Sequence, residues 1–593
     1  MSTITERRTE RPAGLDARTL AEAFQLTAAA TPERCAIRTK EDAFSITWGE
    51  YADRVRSTAA GLAGLGLERG QCMGLMLTNR PEFHWFDAAA LHLGATPFSV
   101  YNTYSPEQIR YQVEDAEARI LVTEKAFADR VRDIPGVEHL IVVDEDGDVS
   151  RHAEPDFDFE AAWRAVEPDD VLTLIYTSGT TGPPKGVQLT HANQLAAVRG
   201  FDQVIAFPTD GRVVSWLPMA HIAERACSHY LPIMLGFTAT CCPDPRQVVA
   251  YLPEVRPTWF FAVPRIWEKL KAAMEAGMAA EQDEQRREAT RWALDVGMRK
   301  VRAEQAGEEI PEELAQEHAR ADELVFSKIR GMLGLDAVES VNVGAAPTPP
   351  EVIEFFHAVG IPLAELWGMS ETCGYGACNP PGRIKIGTVG PVAPGAEIEL
   401  AEDGEVLIRG PVVMSGYRNQ PDRTSETIDD DGWLHTGDVG EFDEDGYLKI
   451  VDRKKELIIS AGGKNMSPAN IEAKVKASSP LIGQAIAIGD AKPYNVALIT
   501  LDPDVAPGFI EQNGREAAEV EVQRGVDAAN EQLGRVEQIK RFTLLDEEWL
   551  PGGDELTPTM KLKRKPIHQK YAAEIEKLYS AQPHGGETWD RPA

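Results

Sequence analysis

From about residue 20 to 345 the chain alternates short apolar runs with longer amphipathic ones, the pattern of parallel strands joined by crossover helices. The apolar runs predict strands at 96–101, 171–176, 212–217, 258–263 and 340–344. The amphipathic stretches predict helices at 19–30, 49–65, 81–93, 106–114, 191–202 and 350–359. Residues 268–330 break this rhythm: they are charged and rich in helix formers, which predicts a helical insertion. After 385 the pattern changes again. Asp403-Gly404 and Asp445-Gly446 each separate two apolar runs, a hairpin signal, so an antiparallel section is expected, of the kind that closes into a distorted barrel. Residues 453–593 read as a smaller α+β unit with strands near 456–460, 484–488 and 496–501, a helix after Ser467-Pro468 and a polar tail from about 582. The joint falls at 452–455 with little loop around it, so a tight connection is expected.

At 593 residues the chain exceeds a single core. No uninterrupted apolar segment approaches the roughly 18 residues of a membrane span. The polar start, MSTITERRTERPAG, lacks the apolar centre of a secretory signal, and the expected compartment is the cytoplasm. A net charge of −33 opposes any general affinity for nucleic acid. The seven cysteines show no CxxC spacing, which points to neither a disulfide framework nor a zinc site; Cys241-Cys242 is expected to fill apolar space. Against the acidic background two basic islands stand out, Arg453, Lys454 and Lys455, and Lys561, Lys563, Arg564 and Lys565. Each is either a site for a small polyanion or a solvated surface.

The densest chemistry lies in VLTLIYTSGTTGPPKGV, 171–187, where an apolar run stops at Thr177, Ser178, Gly179, Thr180, Thr181 and Gly182, followed by two prolines and Lys185. Glycines let backbone N–H groups approach an anion closely, hydroxyls add donors and Lys185 adds a mobile cation, a combination suited to polyphosphate. The common GxxxxGK[ST] nucleotide loop is absent, because it would need glycine at 184 and Ser or Thr at 186. Composition alone is equally compatible with an ordinary turn between strands.

Three further segments carry candidate groups. WGMSET, 367–372, places Glu371 in a polar turn where a carboxylate suits Mg²⁺. WLPMAHIAER, 216–225, sets His221 and Arg225 one helical turn apart. HTGDVG, 435–440, puts Asp438 between glycines at a strand end, suited to sugar hydroxyls. Taken singly, each also fits a structural role: a core histidine, a helix-start acid, a turn former.

In order along the chain, YTSGTTGPPKG (176–186), LPMAHIAER (217–225), VGAAP (343–347), LWGMSET (366–372), HTGDVG (435–440), DRKKELI (452–458) and LTPTMKLKR (556–564) resemble the adenylate-forming superfamily of acyl-CoA synthetases, luciferases and peptide-synthetase adenylation domains. The resemblance covers about residues 20–580 and is closest to long-chain fatty acyl-CoA synthetases, through LPMAHIAER, VPRIWEK (263–269), the insertion and LTPTMKLKRK. Peptide-synthetase domains usually carry glycine where this chain has Met560, and luciferase-like members carry lysine at the position of Ile459. The implied fold is α/β: a large adenylation domain over 1–452 with two α/β sheet subdomains and a distorted β-barrel, a hinge at 453–455, and a mobile α+β cap at 456–593.

The implied reaction joins a fatty acid to AMP with release of pyrophosphate, then passes the acyl group to the thiol of coenzyme A. Its small-molecule partners are fatty acid, ATP with Mg²⁺, and coenzyme A. By motif position, 177–182 and Lys185 cradle phosphates, and Thr177 and Glu371 hold the metal. Gly344, Ala345, Ala346 and Trp367 line the adenine site, Gly368, Met369 and Ser370 belong to the ATP/AMP site, and Asp438 takes the ribose with Arg453 nearby. Lys561 bridges carboxylate and α-phosphate, His221 flanks the acyl carboxylate and Trp267 gates an acyl tunnel. Lys455 is the hinge about which the cap turns, exchanging Lys561 for the loop Ala461, Gly462, Gly463, Lys464 and Asn465, which then lines the coenzyme A channel. A fatty acyl-AMP ligase serving a carrier protein and a catalytically silent binding member of the fold are the alternatives. Weak peripheral contact with an inner membrane face stays open for greasy substrates, and the sequence favours no oligomeric state.

Overall fold

The computed structural model describes residues 11–177, 184–459, 465–557 and 560–580, and the chain divides into two compact units, 1–450 and 451–593. The division lies just ahead of the basic run in which the sequence places the joint.

The first unit is built on parallel sheets. A seven-stranded sheet runs in the order Gly416–Tyr417, Lys185–Thr190, Val171–Thr177, Thr96–Ser99, Cys72–Met76, Ile120–Thr123, His139–Val142. Its central strands are parallel and apolar on both faces, as expected when helices cover both sides. The strands Val171–Thr177 and Lys185–Thr190 form an antiparallel hairpin in which Thr177 pairs with Lys185. Two four-stranded sheets follow. One joins Cys35–Thr39 to Ser45–Thr47, Thr238–Cys241 and Arg212–Ser215; the other joins Trp259–Ala262, Ser340–Val343, Leu363–Trp367 and Ala377–Cys378.

The helices start where the local chemistry allows. Thr47 and Glu50 form a reciprocal cap before Trp48–Gly64, and Thr190 and Asn193 do the same before His191–Ile205. The break in alternation becomes Pro264–Ala280, Glu284–Gln305, Glu312–Ala321 and Ser327–Leu333. It is anchored through buried Ala293, Val296 and Gly297; a Cβ on Gly297 would lie 2.4 Å from the Ala358 carbonyl oxygen. The antiparallel section is a five-stranded sheet ordered Gly390–Pro391, Tyr447–Arg453, Leu434–Phe442, Glu405–Arg409, Glu397–Leu400. Every cysteine is a free thiol, and Cys241 and Cys242 are buried as expected.

The second unit carries a three-stranded sheet of Ile482–Ile488, Asn495–Leu501 and Ile539–Leu545, packed against helices that include Pro468–Ala477 and Arg515–Gln532. Asp452 belongs to this unit. Its Oδ2 accepts from Ser467 Oγ at 2.5 Å and from Ala469 N at 3.1 Å, fixing the start of the helix Pro468–Ala477. No described helix is long and apolar enough to cross a membrane.

Candidate active site

The candidate phosphate turn, with Ser178, Gly179, Thr180, Thr181 and Gly182, lies outside the described residues; its flanks do not. Thr177 ends one hairpin strand and Lys185 opens the next. The short strand Gly416–Tyr417 pairs with this second strand, Tyr417 opposite Val187. The Lys185 ammonium sits 4.4 Å from the centre of the Tyr417 ring, within the range of a cation–π contact. On the other side, the Tyr417 hydroxyl donates to Glu371 Oε1 at 2.9 Å. Glu371 stands in the turn Ser370–Thr372 after the strand Leu363–Trp367, and its side chain is buried. One aromatic ring therefore brings together the candidate phosphate-binding cation Lys185 and the candidate metal carboxylate Glu371. Burial, and then the Glu371 charge, push the Tyr417 phenol well above its ordinary range, so it remains a donor.

Thr177 and Glu371 fit Mg²⁺ in kind. One hydroxyl and one buried carboxylate form a sparse oxygen set, which suits a cation that keeps waters and takes its other ligands from phosphates. Among the described residues no cluster of three His, Cys, Asp or Glu side chains forms a protein cage.

The nucleoside side rests on parallel neighbours. Ser340–Val343 and Leu363–Trp367 run side by side, so Gly344, Ala345 and Ala346 leave one carboxyl end and Gly368, Met369 and Ser370 the other. Ligands of open α/β sheets bind at such ends. Ala345 holds φ +70°, a left-handed conformation uncommon for alanine, and Ala345 and Ala346 are exposed. At Gly368 a Cβ would fall 2.3 Å from the Gly374 carbonyl carbon, so only glycine lets that turn close. Trp367 Nε1 donates to Asp438 Oδ2 at 2.8 Å, joining the candidate adenine and ribose residues. Asp438 is delivered by an irregularity: Glu405 pairs with Val439 and Leu407 with His435, so 436–438 bulge from the strand.

His221 caps the short helix Ile222–Arg225, its Nδ1 accepting from Ala223 N at 3.2 Å. That bond assigns the proton of the neutral ring to Nε2. Arg225 does not share an open face with it. Arg225 is fully buried, ion-paired to Asp87 at 2.6 Å, and donates to Tyr230 Oη at 2.7 Å, Ser99 Oγ at 3.0 Å and the Met219 carbonyl at 3.2 Å. It thus anchors the segment leading to His221.

Glu224 clamps the same segment. Its Oε1 accepts from Trp216 N at 3.0 Å, Asn79 Nδ2 at 3.2 Å and Ser228 Oγ at 2.5 Å, and its Oε2 accepts from Leu217 N at 3.0 Å. Burial nevertheless pushes this carboxyl from 4.5 up to about 7. The folded chain then holds a proton that the unfolded chain has released, so this group makes stability fall as pH rises from 4.5 to about 7. The loss amounts to about 3 kcal/mol at 1.36 kcal/mol per unit. Glu224→Gln is expected to flatten that slope, as read from Tm at a series of pH values across the window. A slope unchanged in the variant would assign it elsewhere.

Trp267 is completely buried in the helix Pro264–Ala280, edge-on to Phe260 at 5.8 Å and Phe356 at 4.9 Å. Its indole N–H has no hydrogen-bond partner among the described residues. A small void lined by Val213, Val214, Trp216, Cys227 and Phe261 shares Phe260 with it.

In the second unit Lys561 is exposed on a turn between bridged Leu556 and Leu562. Lys561 N donates to Thr557 Oγ1 at 3.0 Å, and Thr557 N donates to the Lys561 carbonyl at 2.8 Å. Met560 adopts φ +66°, which explains why glycine is at home there in related motifs. The basic island around it is only partly a surface. Arg564 pairs with Glu472 at 2.7 Å and Glu456 at 3.1 Å, and Lys563 donates to the Gly553 carbonyl at 2.7 Å. Arg453 and Lys455 are exposed. Ala461, Gly462, Gly463 and Lys464 lie outside the described residues, as does the side chain of Asn465. The sequence reading missed Tyr417; the signal was GYRNQPDRT, 416–424, which reads as an ordinary turn.

A large α/β body with candidate phosphate, metal and nucleoside groups near the ends of its strands, followed by a small α+β unit, is an architecture for handling a nucleotide. Residues 24–418 match the family model described as AMP-binding enzyme, and 455–583 match that described as AMP-binding enzyme C-terminal domain. The chain belongs to this adenylate-forming family, close to the long-chain acyl-CoA synthetases. It is 51% identical to a Mycobacterium tuberculosis (strain ATCC 25618 / H37Rv) protein provisionally named fatty-acid–CoA ligase FadD11, over 72% of this chain and 76% of that one. It is 34% identical to the long-chain-fatty-acid–CoA ligase FadD15 of the same organism, over 91% and 92%. The fold matches o-succinylbenzoate CoA synthetase (MenE) from Bacillus subtilis in complex with an acyl-adenylate intermediate, with a TM-score of 0.69, 24% identity and coverage of 94% and 98%.

Proposed function

We propose that the protein is an ATP-dependent fatty acid–CoA ligase that first forms acyl-AMP and pyrophosphate, then acyl-CoA and AMP. The observation that carries this is the convergence of Lys185 and Glu371 on Tyr417, beside strands that also carry the Trp367–Asp438 pair. The likeness to the two ligases named above supports the substrate class.

The residues divide the work by charge. Lys185 and the turn 178–182 bind the terminal phosphates, and Asp438 accepts from ribose hydroxyls next to the Trp367 indole. Arg453 assists at the ribose. Ala345 and Ala346 offer a flat, small-residue surface to adenine. Thr177 and Glu371 would hold Mg²⁺, which supplies charge neutralisation of the departing pyrophosphate. His221 offers an Nε2–H donor to the acyl carboxylate. Lys561 supplies a compact cation for the oxygen and phosphate that meet during adenylation. No protein nucleophile is needed, so rate comes from positioning and preorganised charge. Trp267 closes the acyl tunnel. Lys455 serves as the hinge, and 461–465 lines the coenzyme A channel.

The test is pyrophosphate release and thioester formation with acetate and oleate, each with and without coenzyme A. Oleate is expected to yield oleoyl-CoA and AMP, with acetate far slower. Pyrophosphate release without any acyl-CoA would instead indicate delivery to a carrier protein. Absence of both products would overturn the proposal.

A further inference from the structure

We infer that Tyr417 is a positioning residue for the metal carboxylate, fixing the plane in which Glu371 presents its second oxygen. The inference rests on the reading of Glu371 as a ligand of the nucleotide-bound cation.

A carboxylate on a flexible stem can turn about its last bond, and a ligand must be held in its productive orientation to be preorganised. Glu371 is held twice by one short segment. Met414 N donates to the Glu371 carbonyl at 2.8 Å, and the Tyr417 hydroxyl donates to Glu371 Oε1 at 2.9 Å. Fixing the backbone and one oxygen determines where the other oxygen points. Tyr417 is itself immobilised: its N–H donates to Thr424 Oγ1 at 2.9 Å and its ring is buried. The same segment grips the flank of the phosphate turn, because Arg418 N donates to the Gly186 carbonyl at 2.8 Å and Tyr417 pairs with Val187. Arg418 also ties the segment to the body through the carbonyls of Asp115 at 2.9 Å and Ala116 at 3.0 Å. One strand edge thus fixes Lys185 and Glu371 in register, its ring face to the cation and its hydroxyl to the anion. A core tyrosine needs only some acceptor for its hydroxyl. Here the acceptor is the carboxylate that the proposed chemistry assigns to the metal.

Tyr417→Phe removes the hydroxyl and keeps the ring, hence the packing and the Lys185 contact. The measurement is Mn²⁺ binding by electron paramagnetic resonance, with the full chain and a non-hydrolysable ATP analogue at saturation. Loss of a charge-assisted hydrogen bond is expected to weaken Mn²⁺ about tenfold, and to raise the Mg²⁺ concentration for half-maximal adenylation in parallel. Thr424→Val, which loosens Tyr417 without touching the hydroxyl, is expected to give a smaller weakening and serves as the reading if the phenylalanine variant does not fold. Glu371→Gln separates the failures. Weakened Mn²⁺ in Glu371→Gln with unchanged affinity in Tyr417→Phe overturns the positioning role alone. Unchanged affinity in both overturns the metal assignment with it.

Discussion

Replacing Lys561 with alanine is expected to slow adenylate formation by about 10²–10³-fold, the size found for one preorganised electrostatic donor, while thioester formation from supplied acyl-adenylate stays near wild type. The reason lies in where charge moves. In the first step a carboxylate oxygen and the α-phosphate, both anionic, must approach; an ammonium between them stabilises the transition state more than the separated substrates. In the second step the attacking thiol meets an already activated carbonyl, and that repulsion is gone. The local structure suits a cation that must reach outward. Lys561 is exposed, its backbone is pinned on both sides to Thr557, and the preceding Met560 takes the left-handed turn that aims it. Two nearby cations are turned to structural work: Arg564 pairs with Glu472 and Glu456, and Lys563 donates to the Gly553 carbonyl. The check is pyrophosphate exchange with oleate against single-turnover thioester formation from synthetic oleoyl-AMP. Equal losses in both would remove Lys561 from the first step and make it a general structural or binding residue.

Much of the fold was legible because its signals are local. The apolar run that stops at TSGTTG predicts the strand Val171–Thr177, amphipathic stretches predict the helices Trp48–Gly64 and His191–Ile205, and the charged break in alternation predicts the insertion. What stayed hidden depends on partners distant in sequence. Arg225 looks like a companion of His221 four positions away, but its charge partner, Asp87, lies on another helix. Arg564 looks like one cation among several until Glu472, 92 positions earlier, takes it inside. The strand Ile539–Leu545 escaped notice because IKRFTLL mixes charge with apolar residues and is only partly buried along most of its length. Tyr417 was missed for a related reason: Gly-Tyr before a proline-containing turn carries no chemical signal until the fold brings Glu371 to its hydroxyl.

The second large effect is expected from Asp87. Asp87→Ala should destabilise the large unit by about 3–5 kcal/mol, because breaking a fully buried ion pair strands the remaining charge. Asp87 sits in the helix Pro81–His92 at zero exposure, paired with Arg225 and accepting from His229 Nε2 at 3.0 Å. Burial works against its ionisation, yet Arg225 and His229 outweigh burial and hold the carboxyl below its ordinary range. Without it, the Arg225 guanidinium keeps Tyr230, Ser99 and the Met219 carbonyl as neutral partners, which satisfy donors but not charge. Asp87→Leu combined with Arg225→Met should recover most of the lost stability, since apolar side chains of similar volume commonly replace buried ion pairs at little cost. Activity should not recover in step. The double variant still lacks the guanidinium that holds the Met219 carbonyl, and with it the course of the chain into His221. Thermal unfolding of the full chain, followed by a tryptophan signal, gives the stability of each variant, and oleate-dependent pyrophosphate release gives its activity. If stability and activity return together in the double variant, Arg225 is only a filler of the core, and the link from this buried network to His221 is absent.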